Sequence, residues 1–262
     1  MISSAFAARR ASGRAALVPY VTAGYPELDS TVPVLEAIAA AGADVIEVGV
    51  PFSDPLADGP TIQASSFRSL EGGTTVERVL ADVASFRARH DVAVVVFTYL
   101  NPVLHFGLDR FLRTAVDSGV HGLLLTDLPA GVDRELEDSV IESPLDFVRL
   151  VAPTTPIDRV PEVAAGASGF LYYISRTGVT GARAKLRTEL RAEVGAIRDA
   201  VDLPVAVGFG ISTPEQAAEV GGLADGVVVG SALVQTLGER GVAAGGAFVA
   251  ELKAALDRPA GS

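Results

Sequence analysis

Apolar positions along this chain follow two alternating rhythms. Short, nearly continuous apolar runs fall at 16–23 (ALVPYVTA), 43–50, 92–99 (VAVVVFTY), 120–128, 146–152, 169–175, 203–208 and 224–230. Runs of this length and β-branched content predict strands covered on both faces. Between them the apolar spacing changes to three and four, as in Val32, Leu35, Ile38 and Ala39, with Gly42 closing that stretch. This spacing predicts helices over 28–41, 61–70, 75–90, 108–118, 133–141, 157–165, 186–200, 214–220 and 246–256. A short amphipathic helix with Phe6 on its apolar side is expected over 3–10. Eight strands, each followed by helix, imply a parallel sheet with right-handed crossovers. In a chain of about 250 residues that repeat favours a closed (β/α)₈ barrel. An open doubly wound sheet is the alternative. Its first turn would usually carry a Gly-rich dinucleotide fingerprint, which TAGYPELD after the first strand does not match. Without a linker or compositional break, a single domain spanning 1–262 is expected.

Composition narrows the function. Hydrophobic residues make up 49% of the 262, enough for one large core. No apolar run reaches the ~18 residues of a membrane span, and the Arg-bearing N-terminus has no secretory apolar region. A net charge of −11 without a basic stripe argues against nucleic-acid binding. The absence of cysteine removes thiol chemistry and fits a cytoplasmic location.

Chemistry in such a barrel gathers at the C-terminal strand ends. The stretch VIEVGVPFSDPLADGPTIQ, 45–63, places one carboxylate, Glu47, inside a strand and another, Asp58, on a loop rich in Pro, Gly and Asp. Glu47 shares parity with Val45 and Gly49 and should point into the barrel mouth, with Gly49 leaving room above it. Asp54 and Asp58 could also serve the turns of their loop. Three Gly-bearing turns, GVTGA (178–182), GFGIS (208–212) and VVVGSAL (227–233), end later strands. The last opens a short helix at Gly230 and Ser231, and together they suit a phosphate cradle. Tyr172, on the sixth strand, carries a phenol able to reach between cradle and acids, or to pack as core. Lysines occur only at 185 and 253, and histidines only at 90, 105 and 121. No lysine sits at a strand end for a Schiff base, and the imidazoles do not cluster for a metal. General acid–base catalysis by carboxylates remains.

The same residues carry a family resemblance. VIEVGVPFSDPLADGPTIQ closely resembles the signature of the tryptophan synthase α subunit, and VPYVTAGYP, YLNPVLHFG, TDLP, YYISRTGVTGA, VGFGIS and GVVVGSAL follow in the family's order over essentially the whole chain. The resemblance implies a TIM barrel that cleaves indole-3-glycerol phosphate to indole and glyceraldehyde 3-phosphate. Indole then passes to a β subunit, where pyridoxal phosphate joins it to serine within an αββα heterotetramer. No cofactor is implied on this chain itself. The resemblance implies that Glu47 protonates indole C3 and helps deprotonate the glycerol hydroxyl, that Asp58 accepts the indole N–H, and that Tyr172 is the site tyrosine. Gly181, Gly210, Gly230 and Ser231 would bind phosphate, and Thr180 would close over Asp58. Tyr20, Ile62 and Leu124 would line the indole pocket; position 20 is often Phe in the family. Asp54, Asn101 and Pro129 would meet the β subunit. A standalone lyase that releases free indole shares these motifs. A non-catalytic activating barrel and another phosphate-binding barrel, such as a sugar-phosphate isomerase, are the remaining alternatives.

Overall fold

The computed structural model describes residues 1–175, 183–208 and 210–258. Eight strands close into a barrel in sequence order: β1 (Ala16–Thr22), β2 (Val45–Gly49), β3 (Ala93–Thr98), β4 (Gly122–Leu125), β5 (Asp146–Val151), β6 (Leu171–Ile174), β7 (Val205–Gly208) and β8 (Gly226–Val229). β8 returns to pair with β1 in parallel, from Ala16↔Gly226 to Pro19↔Val229. The helices are α1 (Ile2–Ala11), α2 (Thr31–Ala40), α3 (Pro60–Glu71), α4 (Val76–Arg87), α5 (Leu100–Phe106), α6 (Leu108–Asp117), α7 (Arg134–Ile141), α8 (Val160–Val163), α9 (Arg183–Ala200), α10 (Pro214–Gly221) and α11 (Ser231–Leu256).

Three elements differ from the sequence reading. α5 was not expected, because Asn101-Pro102 reads as a turn. Pro102 stands in the first turn of α5, where its missing N–H has no intrahelical partner to lose. The helix expected over 157–165 is a 3₁₀ turn, Ile157–Arg159, followed by the single turn of α8. The helices expected after Gly230 and over 246–256 join into α11, which kinks at Gly241 (φ 80°, ψ 179°).

Strand parity sorts the core. Ile46, Val48, Val94, Val96 and Leu123 face outward and pack with Leu35, Ile38, Val83 and Phe86 from the helices. Val18, Val45, Val95, Leu124, Val148 and Val228 face inward and fill the barrel. α1 closes its N-terminal end: Ile2 and Phe6 join the inner cluster, and Phe6 stacks on Phe170 at 5.1 Å. Glycine opens both strands nearest the plug. A Cβ on Gly122 would lie 2.8 Å from Ile2, and one on Gly226 would lie 2.7 Å from Phe6.

Ion pairs brace this end. Asp44 accepts from the Leu17 N–H at 2.7 Å and from Lys253 Nζ at 2.6 Å. Asp225 accepts from the Val205 N–H at 2.9 Å and from Arg198 Nε and Arg10 Nη2, both at 3.0 Å. Burial alone would raise the Asp225 pKa, but the bonds from Arg198, Val205 and Arg10 hold it below the ordinary carboxylate value. Its stabilisation is therefore present above the unfolded carboxyl pKa and lost as pH falls through the lower folded value. Asp225→Ala is expected to cost about 2 kcal/mol in urea unfolding at pH 7, less than a fully buried pair, because Arg10 and Arg198 are 63% and 41% exposed. The difference from the parent protein should shrink below about pH 4.

Candidate active site

Glu47 stands on β2 as the Cα partner of Tyr20 on β1 and Val95 on β3, pointing into the barrel as parity requires. It is only 1% exposed, and among the described residues neither carboxyl oxygen has a hydrogen-bond partner. Burial pushes its pKa up to about 8, so at neutral pH it is chiefly a carboxylic acid.

The loop 50–59 folds back on itself around Asp58. The Asp58 N–H donates to Pro55 O at 3.1 Å and the Leu56 N–H to Asp54 O at 2.9 Å. Gln63 Nε2, on the first turn of α3, donates to Asp58 O at 2.8 Å. Burial outweighs the lowering effect of the Tyr99 hydroxyl and leaves the Asp58 carboxyl pushed up to about 6. Asp58 is thus mainly ionised at neutral pH while Glu47 is mainly protonated. Two carboxyls of one site are driven apart by unequal burial and unequal hydrogen bonding.

Two phenols complete this end. Tyr20 and Tyr172 are raised by burial first. The charge of Asp58 follows for Tyr20, and those of Glu47 and Asp58 for Tyr172, so both remain neutral. Each leans across a glycine on the next strand. A Cβ on Gly49 would sit 2.1 Å from the Tyr20 hydroxyl, and one on Gly208 would sit 2.3 Å from that of Tyr172. Gly49 therefore makes room for Tyr20 rather than for Glu47, a correction to the sequence reading.

These groups open on a cavity of about 380 Å³, within the common range for small-molecule sites. Its apolar wall is formed by Tyr20, Ile62, Phe97, Leu150, Ile174 and Val228. Tyr20 meets Phe97 edge-on at 5.2 Å. The far end is lined by Gly210, Ser212, Gly230 and Ser231. Gly210 takes φ +74°, and Gly230 caps α11, whose first turn leaves N–H groups without intrahelical partners. No Lys, Arg or His is among the described lining residues. An anion there would be held by amides, hydroxyls and the helix dipole.

Glu47, Asp58, Tyr172, Tyr20, Ile62, Gly210, Gly230 and Ser231 are thus brought to one cavity. Leu124 is not. It is fully buried in the inner cluster, one inward step below, and Thr126, just past the end of β4, stands at cavity level. The register explains this: partners run Tyr20, Glu47, Val95, Gly122, so each strand is staggered against the last, and Gly122 already lies beside the α1 plug. Thr180 and Gly181 lie outside the described residues. Asp54 and Pro129 are exposed on the loops after β2 and β4 and Asn101 in the first turn of α5 after β3, away from the cavity wall. Lys253 is committed to Asp44, and His121 Nδ1 accepts from the Val94 N–H at 3.2 Å, at the start of β4. Sequence reasoning missed Phe97, Leu150 and Tyr99. Inward parity could have found the first two, whereas the bonds of Tyr99 to the loop after β2 leave no local signal.

Barrel, paired carboxyls at the C-terminal mouth and a helix N-terminus lining the same cavity define a (β/α)₈-barrel enzyme with a candidate acid–base site. Comparison with known proteins narrows the class. Residues 6–256 match the family model described as tryptophan synthase alpha chain. The chain is 47% identical to the tryptophan synthase alpha chain of Rhizorhabdus wittichii, over 99% of this chain and 97% of that one, and 44% identical to that of Synechococcus elongatus, over 98% and 97%. It superposes on a structure of Mycobacterium tuberculosis tryptophan synthase with TM-score 0.90 at 38% identity, covering 98% of each chain. A Legionella pneumophila tryptophan synthase alpha chain gives 0.91 at 34% identity, covering 100% of this chain and 98% of that one. The chain belongs to the tryptophan synthase alpha chain family of tryptophan biosynthesis, which catalyses the α reaction, a lyase step.

Proposed function

We propose that this chain cleaves indole-3-glycerol phosphate to indole and glyceraldehyde 3-phosphate. The observation that carries the reading is the convergence of a buried, unpartnered Glu47 and of Asp58 on one cavity that the N-terminus of α11 also lines, at Gly230 and Ser231. The indole ring lies between Tyr20, Ile62 and Phe97, with its N–H toward Asp58 and its phosphate at Gly210, Gly230 and Ser231. Glu47 gives its proton to indole C3. The ring nitrogen becomes positive, and the Asp58 carboxylate stabilises that charge. The C3–C1′ bond then breaks, its electron pair restores the aromatic ring, and the C1′ hydroxyl gives its proton back to Glu47 as the aldehyde forms. Tyr172 is the phenol beside the reacting carbon.

The same proposal assigns a β subunit as partner, in an αββα assembly that receives indole and condenses it with serine using its own pyridoxal phosphate. Leu56, Leu104 and Val132 are large apolar residues, 82%, 50% and 71% exposed. They stand on or beside the adjacent segments that carry Asp54, Asn101 and Pro129. An apolar centre rimmed by polar groups suits a protein interface. Among the described residues no helix is long and apolar enough to cross a membrane. The cysteine-free sequence fits a cytoplasmic setting for this reaction.

The test is indole release from indole-3-glycerol phosphate by the purified chain, with and without a β subunit. Slow release alone and at least tenfold activation by β are expected. Leu56→Asp should weaken that activation while leaving the unassisted rate within about twofold, since the side chain is largely in water. No indole release under either condition would contradict the reading, and fast release indifferent to β would contradict the partner.

A further inference from the structure

Asp58 sits on a loop that a side chain from outside it, Tyr99, ties down next to Asp58. The Tyr99 hydroxyl accepts from the Ala57 N–H at 3.0 Å, which leaves its own proton to face the neighbouring Asp58 carboxylate. Its ring packs against Phe52 of the same loop at 5.1 Å. Tyr99 is itself 4% exposed and caps α5, the helix after β3 that carries Asn101. The next loop is tied in as well. Asp127, two residues before Pro129, accepts from the Leu100 N–H at 2.7 Å, and Thr126 reaches the Tyr99 hydroxyl. The segments after β2, β3 and β4 therefore meet around one phenol, whose own proton is left for Asp58.

We propose that Tyr99 is a positioning residue for Asp58: its hydroxyl, already bonded to the Ala57 N–H, holds the Asp58 carboxylate by a hydrogen bond and ties its placement to the segments after β3 and β4. This rests on the reading of Asp58 as the group that stabilises the indole nitrogen. The other titratable groups facing Asp58 are Tyr20 from β1 and Tyr172 from β6, with Glu47 on β2 in the same cavity. Among the described residues neither of these phenols is hydrogen-bonded to Asp58, and Tyr99 is the side chain whose hydroxyl bears on its carboxylate. The Asp58 carboxyl is already pushed up by burial, and loss of the bond lets it rise further.

The experiment is the pH dependence of kcat/KM for indole release by the full chain and by Tyr99→Phe, with Asp58→Asn as control. The phosphate of the substrate also titrates near pH 6, but identically with both proteins, so the comparison isolates Asp58. Tyr99→Phe should move the acidic limb up by about 0.5–1 pH unit and lower kcat/KM at pH 6 by about 2–10-fold. The melting temperature and the affinity for glycerol 3-phosphate, which reports the far end of the cavity, should stay close to those of the parent protein. A loop that was merely loosened would change KM and melting without moving the limb. An unmoved limb with an inactive Asp58→Asn overturns the role of Tyr99 alone. An active Asp58→Asn overturns the reading of Asp58 and this inference with it. If Tyr99→Phe does not fold, 3-fluorotyrosine placed at position 99 provides the second arm. As the stronger donor it should move the limb down, and an unmoved limb overturns the proposal.

Discussion

Replacing Glu47 with Gln is expected to lower kcat for indole release by 10²–10⁴-fold, the usual contribution of a positioned general acid–base group. Gln fills nearly the same volume in a site where Glu47 makes no hydrogen bond among the described residues, so the fold gains no strain and loses no partner there. Removing an uncompensated buried carboxyl can even stabilise the protein slightly. The effect should therefore fall on kcat, with KM and melting temperature nearly unchanged. Single-turnover measurement of indole release, beside a melting curve, checks both. A variant retaining a tenth or more of the parent kcat would remove Glu47 from the proton transfers.

Asp58→Asn is expected to cost about 10²–10³-fold in kcat, the range for losing one preorganised electrostatic contact to a charge that develops in the transition state. The amide is isosteric but neutral. It can still accept a hydrogen bond from the ground-state indole N–H, so KM should change little, whereas the positive ring nitrogen formed after C3 protonation loses its counter-charge. The backbone contacts of the loop, Asp58 N–H to Pro55 O and Gln63 to Asp58 O, do not involve the carboxyl and should persist. A KM effect with intact kcat would mean that Asp58 only binds substrate.

The barrel was legible from the chain because inward and outward strand faces are both apolar, so every strand announces itself as a run, and because 3–4 spacing marks the helices between them. α5 was hidden by Pro102, a residue that breaks a helix interior but is harmless in a first turn. Glu47 could be placed from parity alone. Leu124 could not, because parity says which face a side chain takes and nothing about its height; the stagger of a closed barrel lowers β4 relative to β2. Phe97 was within reach of the same parity argument, whereas Tyr99 was illegible because its place is set from far away in the chain. Its role arises from contacts with loops distant in sequence, such as the 42-residue separation between Ala57 and Tyr99. The pKa values of Glu47 and Asp58 likewise depend on burial and on Tyr99, which only the folded barrel supplies.

The most direct measurement is the alkaline limb of kcat/KM for indole release by the unmodified chain between pH 7 and 10, since this parameter reports the free enzyme. Tyr20 and Tyr172, the phenols beside Glu47, are raised by burial and stay protonated across this window. With Glu47 acting as an acid, kcat/KM should fall tenfold per pH unit above about pH 8. A rate that holds level to pH 10 would show that the ionised form is the active one and would contradict Glu47 as the proton donor to C3.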